Sequence, residues 1–163
     1  MNTNAILRKI TQSLALDISA LQAIFASVDI DLTEKELGNL LKTDYEPRFE
    51  VLPESVLALF LNGYIDYCRG KKETQASEVA SDTGAKPAKL SNNDVLKKLR
   101  IAHNLQEHQV REALKLVTIE LTKSDLSALF RKPGHPQYKV CDDELALDFI
   151  EGVGLLKQQT PHS

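Results

Sequence analysis

Apolar residues recur along this chain at steps of three and four, and they do so in two matching series. Ile6, Leu7, Ile10 and Leu14 share one face of a 3.6-residue helix, and Val95, Leu96 and Leu99, followed by His103, repeat it. A second helix is predicted over Leu21, Ile24, Phe25 and Val28, matched by Val110, Ala113, Leu114 and Val117. A third buries Leu37, Leu40 and Leu41, or Leu126, Leu129 and Phe130, and a fourth carries Val56, Leu57, Leu59, Phe60 and Tyr64, or Leu145, Leu147, Phe149, Ile150 and Val153. Polar Thr3 and Asn4, or Asn92 and Asn93, precede the first helices and can accept from their first backbone amides. Thr33 with Glu36 reads as a capping box, and Thr122 with Asp125 as a weaker one. Pro47 in one series, and Pro133, Gly134 and Pro136 in the other, end the third helix, since proline lacks the amide a helix needs. The fourth helix is expected to begin near Pro53 or Asp142.

The two series are one unit duplicated. An ungapped offset of 89 residues lays 4–65 over 93–154 and pairs Asn4 with Asn93, Lys9 with Lys98, Thr33 with Thr122, Phe60 with Phe149 and Gly63 with Gly152. The expected fold is all-α, two homologous four-helix units in tandem. The first unit is read as 1–69, a polar linker as 70–91, the second unit as 92–157 and a frayed tail as 158–163. The linker is rich in Lys, Ala, Ser, Thr and Glu and cannot offset its ordering entropy by burial. Glycine inside a helix costs about 1 kcal/mol relative to alanine, so its recurrence at 63 and 152 implies a close helix approach or a break.

Composition narrows the class. Two widely separated cysteines, Cys68 and Cys141, form neither a disulfide framework nor a zinc motif, and reducing cytoplasm is the expected setting. No secretory leader pattern and no apolar run of spanning length is present in the sequence, so no membrane role is expected. The net charge of −3 conceals an imbalance. Residues 94–139 hold nine Lys or Arg against five acids, whereas the matching 5–50 hold five against eight. Such asymmetry can mark a polyanion-facing surface.

Candidate chemistry is sparse. Lys97, Lys98 and Arg100 on the first helix of the second unit, with Arg131, Lys132 and His135 at the end of its third, are read as one polyanion or partner surface. The competing reading of the last three is a helix C-terminus whose cations face the dipole, followed by a turn anchored by Tyr138, or Phe49 in the first unit. His103, His108, His135 and Cys141 all fall in the second unit, but their spacing does not build a metal site. His103 takes the place of Leu14 and is expected to be a hydrogen-bonded, partly buried histidine. No nucleophile elbow, P-loop or HExxH motif occurs, and Asp142, Asp143 and Glu144 suit a helix start. The sequence therefore names no catalytic, cofactor or metal residue.

Three long strings carry a family likeness: LSNNDVLKKLRIAHNL at 90–105, LSALFRKPGH at 126–135, and FLNG at 60–63 with Arg69 and Gly70. They resemble the YehS-like bacterial proteins, a tandem-repeat family of unknown function. The resemblance covers both units and implies two copies of one fold in a bacterial cytoplasm, without an activity or cofactor. The chain departs from that family's pattern at Thr11 to Ser13 and at His103. The function expected first is a non-catalytic macromolecular-interaction or regulatory module with a protein partner. A nucleic-acid-binding regulator using the basic unit stands second, and an enzyme of unspecified reaction third. Neither partner identity nor homo-oligomerisation is written in the sequence.

Overall fold

The structure is a computed structural model that describes residues 2–43, 45–69, 90–131 and 134–159. The helices are α1 (Thr3–Ser13), α2 (Ile18–Ser27), α3 (Glu34–Leu40), α4 (Glu54–Arg69), α5 (Asn92–Ala102), α6 (Glu107–Leu116), α7 (Lys123–Leu129) and α8 (Asp143–Gln159), with no strand among the described residues. α1–α4 form one repeat and α5–α8 the other. Residues 70–89 of the expected linker lie outside the described residues, while Leu90 is buried and Ser91 already caps α5.

Local chemistry explains the helix boundaries, with one correction. The N-caps of α1 and α5 are Asn2 and Ser91, and Asn4 and Asn93 sit inside the first turn, buried. Each asparagine instead ties three chain segments together. Asn4 Nδ2 donates to the carbonyls of Leu40 and Glu50, both at 2.8 Å, and its Oδ1 accepts from Leu52 N at 3.0 Å. Asn93 does the same with Leu129 and Lys139, both at 2.8 Å, and with Cys141 N at 2.9 Å. A buried amide with its partners satisfied holds the end of the third helix and the following loop against the first helix. Both capping boxes predicted at the third helix are present. Ala15 and Asn104 have φ of 56° and 52°, and Asp29 and Thr118 have 65° and 62°, so the chain turns out of the first two helices in the same way in both repeats.

The fourth helix is the buried centre of each repeat. Leu57, Phe60, Leu61, Tyr64 and Ile65 are buried on α4, and Ala146, Phe149, Ile150 and Val153 on α8, whereas Leu59, expected in the core, is exposed. Phe60 and Phe149 are fully buried at equivalent positions. The recurrent glycines mark a close helix crossing rather than a break. A Cβ on Gly63 would lie 2.8 Å from the Ile24 carbonyl oxygen, and one on Gly152 would lie 2.2 Å from that of Ala113, the equivalent residue.

The repeats dock reciprocally, with α1 against α8 and α4 against α5, giving one continuous core about a pseudo-two-fold axis. The same axis relates the polar contacts at this seam. Lys9 Nζ meets Glu151 Oε1 at 3.0 Å, and Lys98 Nζ donates to Asn62 Oδ1 at 2.7 Å, Lys9 being equivalent to Lys98 and Glu151 to Asn62. At Gly154 the approach is tighter than any side chain allows, because a Cβ there would lie 2.3 Å from the Ser13 carbonyl oxygen.

Candidate functional site

Two clefts are built by residues that differ between the repeats. The first lies on the second repeat alone, encloses about 490 Å3, and is lined by Arg100, Arg131 and His135 together with Glu107, Ser127 and Phe130. α5 delivers Arg100 in its last turn, where Nε donates to the Leu105 carbonyl at 3.0 Å and the guanidinium lies 4.9 Å from the centre of the Phe130 ring. That cation–π contact fixes the planar group in the cleft wall. Arg131 follows α7, and its Nε is buried without a hydrogen-bond partner. His135 Nδ1 accepts from the Gln137 amide at 3.0 Å, which leaves Nε2 as the outward ring nitrogen.

Of the six surface residues expected from sequence, the cleft thus gathers Arg100, Arg131 and His135. Lys97 is half-buried and does not line it. Lys98 is not brought there: one position further round α5, it faces α4 and is engaged by Asn62 at the seam. Lys132 lies outside the described residues. The equivalents of the three gathered residues are Thr11, Lys42 and Glu46, and Glu46 is occupied by the amide and hydroxyl of Thr43. The cationic cleft therefore belongs to one repeat.

The second cleft, of about 710 Å3, opens at the seam between the repeats, and sequence reasoning did not find it. It gathers residues from the ends of α4 and α8, from the α5–α6 turn and from α6. Under its wall the Tyr64 hydroxyl and His103 Nε2 are 2.9 Å apart, while the rings of Tyr64 and Tyr67 stack with centroids 6.3 Å apart. His103 is thus the hydrogen-bonded, partly buried histidine expected at that position. Desolvation, reinforced by the Lys157 charge, lowers its pKa to about 4. Burial likewise pushes the Tyr64 hydroxyl well above the usual phenol range. Cys68 is exposed as a residue, yet its thiol faces Tyr64 and desolvation holds it above its ordinary value. Burial and then the carboxylates of Asp142 and Asp143 push the Cys141 thiol up to about 12. At Cys68 burial outweighs the Lys157 charge that favours the thiolate, and Cys141 faces carboxylates, so neither sulfur is activated. His103 and His108 line the same cleft, but no group of three or more metal-ligating side chains occurs among the described residues. The one signal for this site in the sequence is His103 itself, a polar residue on an apolar stripe.

The repeat boundaries coincide with a family match. The family described as "Protein of unknown function (DUF1456)" matches residues 3–70 and again 92–158. The chain belongs to that family. It is also 30% identical over 154 residues to the "Uncharacterized protein YehS" of Escherichia coli (strain K12), covering 94% of each chain. No solved structure matches it significantly. Each DUF1456 repeat corresponds to one four-helix unit, so the two clefts arise where the second copy of a shared scaffold has diverged from the first. No helix among the described residues is long and apolar enough to cross a membrane.

Proposed function

We propose that the protein is a non-catalytic binding module of the bacterial cytoplasm whose second repeat takes an acidic segment of a protein partner. The observation carrying this reading is the convergence of Arg100, Arg131 and His135 on one cleft, with the Arg131 Nε buried and unpartnered. An incoming carboxylate can pair with the guanidinium groups that line the cleft in the fork geometry arginine favours. Leu126 and Phe130 give the same cleft an apolar floor, and Glu107 on its rim disfavours a ligand that is negative throughout. Diversion of Lys98 to the seam shortens the cationic stripe that a nucleic-acid backbone would follow. The free thiols of Cys68 and Cys141 accord with a reducing compartment.

A photo-crosslinking residue at Ser127 on the cleft rim tests the reading in native bacterial lysate, with and without nuclease. Nuclease-resistant protein adducts that disappear in Arg100→Gln/Arg131→Gln are expected. Nuclease-sensitive adducts would transfer the cleft to nucleic acid, and adducts indifferent to the double substitution would overturn it.

A further inference from the structure

We infer that the seam cleft between the repeats is a binding site for a small aromatic anion. It shares no residue with the Arg100–Arg131 cleft, and its volume of about 710 Å3 falls within the range of pockets that enclose small organic ligands.

The duplication supplies an internal control for what the fold itself requires there. Across the pseudo-axis Tyr67 corresponds to Leu156 and Cys68 to Lys157, so the ends of α4 and α8 contribute to both sides of the axis. Leu105 matches Leu16, but most of the remaining wall does not match. Leu14, Ala15, Ser19, Ala20 and Ala23 of the first repeat are replaced by His103, Asn104, His108, Gln109 and Glu112 in the second. Small and apolar residues satisfy the scaffold at these five positions, and the polar set collects on the side where the cleft opens.

The chemistry of the lining points to the ligand class. Lys157 has no carboxylate within ion-pair distance among the described residues, and Arg69, whose Nη1 donates to the Ile101 carbonyl at 3.3 Å, adds a second positive charge. Against them the cleft sets one carboxylate, Glu112. An anionic head group is therefore favoured beside Lys157. The apolar half is aromatic: Tyr67 is stacked on Tyr64 and is 52% exposed, beside Val153 and Leu156. A flat ring continues the Tyr64–Tyr67 stack at little cost in ordering, because the first two rings are already in place. The second ring nitrogen of His103 has no hydrogen-bond partner among the described residues, and the amides of Asn104 and Gln109 line the same wall. These groups can orient polar edges of the ligand.

Binding here has a reporter. A ring on Tyr67 and an anion beside Lys157 both change the surroundings of the His103 ring, so occupation here shifts its NMR signals, whereas occupation of the other cleft does not. Tyr64, Cys68, Arg69, His108 and Glu112 are the other titratable groups around it. The experiment is an NMR titration of the full chain at neutral pH with benzoate, AMP and inorganic phosphate in turn, reading the backbone and His103 ring shifts. At least one aromatic anion is expected to bind saturably with Kd below about 1 mM and to shift the His103 ring signals, inorganic phosphate binding at least about tenfold more weakly. Benzoate alone would identify a carboxylate head group and AMP alone a phosphate ester, and either upholds the class. Lys157→Gln, at an exposed site, and Tyr67→Leu are each expected to weaken binding about tenfold or more, with Lys35→Gln, exposed on α3, unchanged. The inference fails if neither aromatic anion saturates by about 10 mM, if binding leaves the His103 ring signals unmoved, or if phosphate binds as tightly as AMP.

Discussion

The Tyr64 hydroxyl and His103 Nε2, 2.9 Å apart, join the fourth helix of one repeat to the end of the first helix of the other. Their equivalents are Val153 and Leu14, both buried. One half of a pseudo-symmetric seam is thus closed by a polar pair and the other by two aliphatic side chains.

This pair predicts a non-additive mutant cycle. Tyr64→Phe alone leaves a histidine nitrogen facing a buried ring and should lower stability by about 1–2 kcal/mol. His103→Leu alone leaves the hydroxyl only the weak Cys68 thiol as a partner, at comparable cost. Since replacing both partners removes the polar mismatch, the double variant should recover at least half of the summed loss, read from denaturant midpoints. Strict additivity would mean that the hydrogen bond contributes nothing to the docking of the repeats.

Acid sensitivity follows from the same histidine. Its folded pKa of about 4 lies below the ordinary value of 6.5, so the unfolded chain binds more protons between those values. The contribution of His103 is fully present above pH 6.5 and is lost as pH falls toward 4. Unfolding midpoints measured across that window should therefore decline for the natural chain and decline less for His103→Leu. Equal slopes would show that other groups carry the acid response.

The glycines predict opposite signs for one substitution. Gly152→Ala places a methyl group 2.2 Å from the Ala113 carbonyl oxygen, so α6 and α8 must separate, and a loss of about 2–3 kcal/mol is expected. Gly38 lies inside α3 with nothing within 4 Å of a built Cβ, and Gly38→Ala should stabilise by about 0.5–1 kcal/mol. Thermal unfolding of the two variants side by side settles both.

Ala15 occupies a left-handed conformation at φ 56° where the second repeat places Asn104, a residue that tolerates it. Ala15→Asn or Ala15→Gly should therefore raise stability by about 0.5–1 kcal/mol, without altering helicity. A neutral or destabilising result would show that the Ala15 methyl makes a packing contact worth more than the strain.

The duplication and every helix were legible because Leu, Ile and Phe keep the 3.6-residue period in both copies. The roles of individual polar residues were less so. Asn4 and Asn93 lie where caps are expected, yet they reach inward to carbonyls 36 and 46 residues away, a demand that local periodicity does not register. Their identity in both copies, three residues before Leu7 and Leu96 of the buried face, was the available signal. Lys98 looked like its neighbour Lys97 because the direction of the docked partner helix is a tertiary fact. Arg100 lies on α5 and Arg131 and His135 follow α7, so only the tertiary fold brings them to one cleft. The seam cleft escaped because its lining comes from α4, α8 and the α5–α6 segment, which no sequence spacing relates.

Carrying both halves of a symmetric seam on one polypeptide changes what mutation can do to it. In an assembly of two identical chains any substitution near the axis appears twice, so a buried histidine would have to find its tyrosine on both sides. Here Leu14 has His103 as its counterpart, and Lys9 pairs with the Glu151 carboxylate where Lys98 meets the neutral amide of Asn62. Covalent tethering lets one side keep the aliphatic packing that holds the molecule together. The other side is then free to drift into chemistry that a twofold copy would have made unaffordable.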